Sequence, residues 1–147
     1  VSTHLLDTNV LIALSWPNHV HHAKAHEWFQ STGRTAWATC PLTQIAFIRI
    51  SSNPKIIADA VIPREALEVL KKILDVPGHH FWPDAVAPTD TKAFTSAAFV
   101  GHRQVTDAYL LSLAQHYKGK LATFDRGIAE LIQAHKERRQ HITVIEA

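Results

Sequence analysis

Four aspartates punctuate this chain where a short apolar segment ends or a helix begins. Asp7 follows His4-Leu5-Leu6 and opens Asp7-Thr8-Asn9-Val10. Asp107 lies in Val105-Thr106-Asp107-Ala108, Asp125 follows Ala122-Thr123-Phe124, and Asp84 follows Phe81-Trp82-Pro83. Short strands alternating with helices imply a mostly parallel sheet covered on both faces, an α/β fold. In such a sheet, residues at the C-terminal strand ends face one crevice. Carboxylates gathered there repel, and at ~4 Å one pair costs roughly 4 kcal/mol with an effective dielectric near 20. Such a cluster persists only if it is partly protonated or if a cation fills it. The expected chemistry is therefore that of a divalent metal held by oxygen ligands.

The strand–helix alternation is read from hydrophobic spacing. Thr3 to Leu6 is the first strand, and Val10 to Leu14 is a buried helix ended before Pro17. His21 to Gln30 is a second helix broken at Gly33, and Thr35 to Thr39 a second strand. Leu42 to Ser51 carries apolar residues at helical spacing and ends at Asn53-Pro54. Pro63 opens a helix with Ala66, Leu67, Leu70, Ile73 and Leu74 on one face, stopped by Pro77-Gly78. His80 to Trp82 is a short strand, and Asp90 is an N-cap candidate for a helix over Thr91 to Phe99. Thr106 to Tyr117 is a helix closed by Gly119. Leu121 to Phe124, Ile128 to Lys136 and Ile142 to Ile145 complete the pattern as strand, helix and strand. No repeat, low-complexity tract or long linker divides residues 1–147, so one domain is expected.

Composition sets the partners. With 46% apolar and 19% charged residues, the chain suits a soluble globular protein. No apolar run approaches the ~20 residues of a membrane span. The chain opens directly on a strand-like segment, so no secretory leader is expected. Cys40 is the single cysteine, which excludes an internal disulfide framework and fits a cytoplasmic protein. A net charge of +2 and 11 histidines give a mildly basic background. Cations outside to hold phosphates and carboxylates inside to hold metal is the pattern a nucleic-acid enzyme needs.

Each aspartate also has a plain structural reading. Asp107 and Asp125, taken singly, read as helix caps, and Asp84 as a turn residue after Pro83. Asn9 can turn toward the pocket or cap a helix, and Thr123 can add a hydroxyl near it. The joint placement at strand exits carries the metal hypothesis.

The same residues resemble a known family. Leu5-Leu6-Asp7-Thr8-Asn9-Val10-Leu11, Thr106-Asp107-Ala108-Tyr109-Leu110 and Ala122-Thr123-Phe124-Asp125-Arg126 are similar, in order and spacing, to the acidic motifs of PIN-domain ribonucleases. His19-Val20-His21-His22, Trp28-Phe29 and Phe47-Ile48-Arg49 followed by Asn53-Pro54 resemble one group of VapC toxins of bacterial toxin–antitoxin pairs. The resemblance implies a three-layer α/β/α fold and a Mg²⁺- or Mn²⁺-dependent endoribonuclease acting on RNA. It implies in-line attack of a metal-activated water on a phosphodiester. Asp7 and Asp107 would be the principal metal ligands, and Asp125 would help directly or through water. It further implies a homodimer and a VapB-like antitoxin that sets a basic side chain near the acids.

One departure from the family pattern stands out. PIN domains usually carry a Glu on the helix after the second strand; here that stretch is Pro41-Leu42-Thr43-Gln44-Ile45-Ala46-Phe47. Gln44 can ligate through its carbonyl but brings no charge. Asp84 is a candidate replacement. The alternative reading is a PIN-fold module that grips RNA without cutting it. An aspartyl phosphotransferase would need a second Asp where Asn9 stands. Arg49, on the helix of Gln44, could pair with an aspartate or contact phosphate. His22 and His26 have the i, i+4 spacing of a zinc pair without the supporting Glu or Cys, which leaves a capping or solvated role. Lys136, Arg138, Arg139 and His141 read as a solvated basic face. The four tryptophans read as core or interface.

Overall fold

A computed structural model describes residues 2–90, 101–131 and 140–146. Its centre is the strand β1 (His4–Leu6), whose three residues are all buried. Alternation sends Leu5 and Leu6 to opposite faces of the sheet. Leu5 packs with Leu110, Leu113 and Ala114, whereas Leu6 packs with Val10, Leu11 and Phe47. Two apolar clusters, one on each face, make the three-layer arrangement. Because Leu5 is wholly buried, Leu5→Ala is expected to cost about 2–5 kcal/mol, read as a lower denaturation midpoint with the same slope.

Thr8–Ser15 (α1) and His22–Ser31 (α2) lead from β1 through a short 3₁₀ turn, Gly33–Thr35, to β2 (Trp37–Thr39). Helices α3 (Pro41–Ser51) and α4 (Pro63–Leu74) lead to β3 (His79–Phe81). After a 3₁₀ turn at Pro88–Asp90 and another at His102–Gln104 come α5 (Val105–His116), β4 (Lys120–Thr123), α6 (Arg126–Leu131) and β5 (Ile142–Val144). The sheet order is β3-β2-β1-β4-β5. All pairings are parallel, with Leu5 opposite Ala38 on one side and Leu121 on the other. The chain therefore winds one way from β1 to β3, then crosses over β1 to wind the other way. The reversal lies between β1 and β4, which is the switch point where open α/β sheets hold ligands.

Within the described residues the expected elements are present, with shifted ends. β2 starts at Trp37, two residues late, because Gly33–Thr35 is taken up by the 3₁₀ turn. β4 stops at Thr123, which leaves Phe124 and Asp125 to the crevice. The predicted helix at Thr91 to Phe99 lies outside the described residues, as do residues 132–136 of the last one. Asp90 itself ends a 3₁₀ turn. The turn after α5 departs from expectation in its chemistry. Lys118, not Gly119, takes the left-handed conformation (φ 58°). A Cβ on Gly119 would instead lie 2.5 Å from the Thr3 carbonyl and 2.6 Å from the Trp82 ring. Close approach, rather than a cap, is what requires glycine there.

Trp37 and Trp82 are buried in the core, and Trp16 and Trp28 pack against it. Among the described residues, no helix is long and apolar enough to cross a membrane.

Candidate active site

The switch crevice is lined from both of its strands. β1 ends and α1 begins at Asp7, whose N–H donates to Ala122 O of β4 at 2.9 Å. That bond locks the Asp7 backbone to the neighbouring strand exit. The Asp7 side chain is only 6% exposed. The Thr123 hydroxyl donates to Asp7 Oδ2 at 2.7 Å, and Thr123 Oγ1 in turn accepts the Asp125 N–H at 3.0 Å. Thr123 thus ties two acidic positions together across 116 residues of sequence. Asp125 is exposed, and its Oδ1 accepts the Gly127 N–H at 2.7 Å. The cap reading of Asp125 holds at α6 while its charge still acts on the crevice.

Asp107 enters from above. It lies in the first turn of α5, whose N-cap is Gln104 and whose start carries no side-chain cap hydrogen bond. The cap reading of Asp107 therefore fails, because the helix starts two residues before it. Its carboxyl is pushed up to about 7, first by burial, then by the charges of Asp7 and Asp125 and a hydrogen bond with Asp125. Burial likewise pushes the Asp7 carboxyl up, and the Asp125 charge adds to it. The Thr123 hydroxyl and the N–H groups of Thr8 and Asn9 work the other way and are outweighed. Three carboxylates on different strand and helix ends therefore feel one another, and among the described residues the charges acting on Asp7 and Asp107 are negative. Burial and like charge both disfavour the ionised form of these carboxyls.

The other candidates are placed as follows. The Gln44 amide nitrogen donates to Thr39 Oγ1 at 3.0 Å, and Thr39 Oγ1 also bonds His79 Nε2 at 2.7 Å. Only the carbonyl oxygen of Gln44 is left as a donor atom for a metal. Asp84 is exposed, and its charge falls on the Cys40 thiol and the Tyr109 hydroxyl. It is not among the charges that act on Asp7 or Asp107, so it does not fill the gap left by the missing Glu. Turning away after Pro83 sets it beside β2 rather than between β1 and β4. Asn9 is exposed in the first turn of α1, and its backbone N–H, rather than its amide, serves Asp7. Arg49 is exposed and makes no ion pair among the described residues. The proposed pairing of Arg49 with an aspartate is therefore corrected: its side chain projects to solvent from the last turn of α3.

The histidine cluster is structural in its bonding. The His22 and His26 rings bond the Ala13 and Leu14 carbonyls at 2.7 and 3.1 Å, in the last turn of α1. They satisfy carbonyls that a helix end leaves open. His141 bonds Gly119 O, while Lys136, Arg138 and Arg139 lie outside the described residues. Two contacts escaped the sequence reading: Asp84 with Cys40, and an ion pair between Arg126 and Glu146. Neither has a local spacing signal, since each depends on which strands pair.

Fold and site together define an α/β protein with an acidic crevice at the switch point of a parallel sheet. The chain belongs to the PIN domain family, whose model matches residues 4–132. It is 45% identical over 132 residues to Ribonuclease VapC39 of Mycobacterium tuberculosis, covering 90% of this chain and 95% of that protein. It is 45% identical over 129 residues to Ribonuclease VapC38 of the same organism, covering 88% and 89%. Ribonuclease VapC44, also from that organism, is 35% identical over 141 residues, covering 96% and 98%. Among solved structures, VapBC2 from Rickettsia felis bound to a DNA fragment from their promoter aligns with a TM-score of 0.57. It covers 88% of this chain and 92% of that one at 12% identity. That likeness carries the fold.

Proposed function

We propose that this chain is a metal-dependent endoribonuclease and the toxin of a VapBC-type toxin–antitoxin pair. The observation that carries the reading is the mutual influence of Asp7, Asp107 and Asp125 at the β1–β4 switch point, with only negative charge acting on the first two among the described residues. The relatives' names favour cleavage over an RNA-gripping module without catalysis.

In this reading Asp7 and Asp107 hold Mg²⁺ or Mn²⁺, with Asp125 assisting directly or through water. The donors fit a hard cation: all are carboxylate oxygens, and the Asp107 carboxyl is pushed up to about 7 by burial first and then by the charges of Asp7 and Asp125. Among the described residues, no group of three or more His, Cys, Asp or Glu side chains is arranged to hold a metal ion, so the reading rests on one or two carboxylates with water completing the shell. Mg²⁺ suits such an open site, because it keeps several waters and takes one or two carboxylates. When bound, the ion lowers the pKa of a water and offsets charge on the phosphoryl group.

The chain's own residues fix the geometry. Thr123 aims the Asp7 carboxylate and anchors the Asp125 backbone with one hydroxyl. Thr123→Val keeps the shape and removes both bonds. It is expected to lower divalent-ion affinity or cleavage by roughly 10- to 100-fold, measured by metal titration of the purified protein and by RNA cleavage.

The partners follow from the same reading. An antitoxin that lays a basic side chain against the acids would substitute for the cation. An apolar cleft of about 440 Å³ between Trp16–Val20 and Ile56–Asp59 offers it surface; Val20 and Ile56 are well exposed. A homodimer and a cytoplasmic setting belong to the same proposal.

The test is to map new 5′ ends in cellular RNA after expressing the wild-type chain and Asp7→Ala. Discrete ends present with the first and absent with the second support the reading. Identical RNA profiles with both proteins well expressed would overturn it.

A further inference from the structure

Arg126 is the basic side chain nearest in sequence to the acidic cluster, one residue after Asp125 and the first residue of α6. Three neighbouring carboxylates should draw its guanidinium inward. Arg126 is not among the charges that act on Asp7 or Asp107. It pairs instead with Glu146. The carboxylate is delivered by the sheet: after Val144 the chain continues along β4, and the Ile145 N–H donates to Thr123 O at 2.8 Å. The segment after β5 thus runs beside the strand exit that carries Thr123 and Asp125. It sets Glu146 on the guanidinium at the rim. Both side chains are largely exposed, at 65% and 72%. Exposed pairs of this kind contribute little to stability, so a better anion displaces Glu146 readily.

A phosphate diester is that anion. A guanidinium grips phosphate oxygens with two parallel N–H bonds and is favoured wherever planar recognition is needed. An acidic crevice repels a polyanion, so the strand being cut needs cations beside the acids that the acids have not already neutralised. Arg126 meets that condition, because Glu146 holds it at the rim and outside the crevice.

We propose that Arg126 binds an RNA phosphate adjacent to the one being cleaved, and that Glu146 competes with RNA for the same guanidinium. This rests on the RNA-cleaving reading for its substrate. Neither residue is a ligand of the cation in that reading.

The experiment uses the full chain and a fluorescent single-stranded RNA oligonucleotide. Binding is measured by anisotropy in EDTA over a range of salt, and cleavage is measured separately with Mg²⁺. Arg126→Gln is expected to weaken binding severalfold and to flatten the log–log salt slope by about 0.7, the value of one phosphate contact on a single strand. In cleavage it raises KM and leaves kcat near the wild-type value. Glu146→Gln is expected to tighten binding and lower KM, and the double variant to behave as Arg126→Gln alone. An unchanged slope in Arg126→Gln overturns the proposal. So does Glu146→Gln that weakens binding together with Arg126→Gln, since that is the signature of a merely structural pair, which a parallel loss of melting temperature would report. Wild-type protein that binds with these slopes yet cuts no RNA would sink the nuclease reading and leave the role of Arg126 in binding standing.

Discussion

Asp7→Asn is expected to lower RNA cleavage by roughly 100- to 1,000-fold, the scale of losing one preorganised electrostatic contact to a transition state. The protein should remain folded. Asparagine has the shape of aspartate and keeps an oxygen to accept the Thr123 hydroxyl, which sits 2.7 Å away. It lacks the charge, and at a position only 6% exposed that charge is costly in the metal-free state. The variant should therefore melt no lower than wild type without metal, while losing most of its affinity for Mg²⁺. Cleavage with Mg²⁺ and thermal melting in EDTA separate the two effects. Retention of more than about a tenth of wild-type cleavage, far outside the loss expected for such a group, would remove Asp7 from the site.

The second large effect is on stability, and its direction reverses when metal is added. In the folded chain the Asp107 carboxyl sits at about 7, against an ordinary value of 3.8. Between those values the native state holds a proton that the unfolded state has released. Stability of the metal-free protein therefore falls as pH rises through this window and levels off above about 7. Asp107→Asn removes this component, so it should raise the metal-free melting temperature at pH 7.5 while abolishing cleavage. His4, His19 and His79, whose imidazoles burial pushes down, contribute the opposite slope. They do so in both proteins, so the difference between the two melting curves reports Asp107 together with Asp7, whose charge acts on it. Mg²⁺ should stabilise the wild type by about 2.7 kcal/mol at a hundred times its dissociation constant, and Asp107→Asn far less. Below pH 7 the ion must displace the proton, so its apparent affinity should fall as the solution is acidified. Wild-type and Asp107→Asn proteins with parallel melting curves between pH 4 and 8 would contradict the assignment.

Much of this was legible because it is local. The short apolar runs that end on Asp7 and Asp125 predict strand exits by themselves, and the structure sets both at the place where strand order reverses. The ambiguity at Asp107 was a matter of two residues. A helix starting at Thr106 would make Asp107 part of its opening turn whether or not it capped, and only the observed start at Val105 with Gln104 as N-cap separates these. Gln44 could not be resolved from sequence, since its amide goes to Thr39, itself bonded to His79 through the pairing of β2 with β3. Asp84 failed as a substitute acid for a similar reason. Its position after a strand was right, but β3 is the outermost strand on its side, two places from the reversal. Spacing along the chain says that a residue leaves a strand; sheet order decides which neighbours it meets.

The pairing of β1 with β4 has a consequence for how such a protein is made. Asp7 leaves the ribosome early, but its partner Thr123 is translated 116 residues later, and the strand that carries Thr123 must insert beside β1 before any crevice exists. A nascent chain stalled or cleaved ahead of that point carries the first carboxylate with nothing to complete it. Hydrolytic competence is thus withheld until β4 has been made and paired with β1.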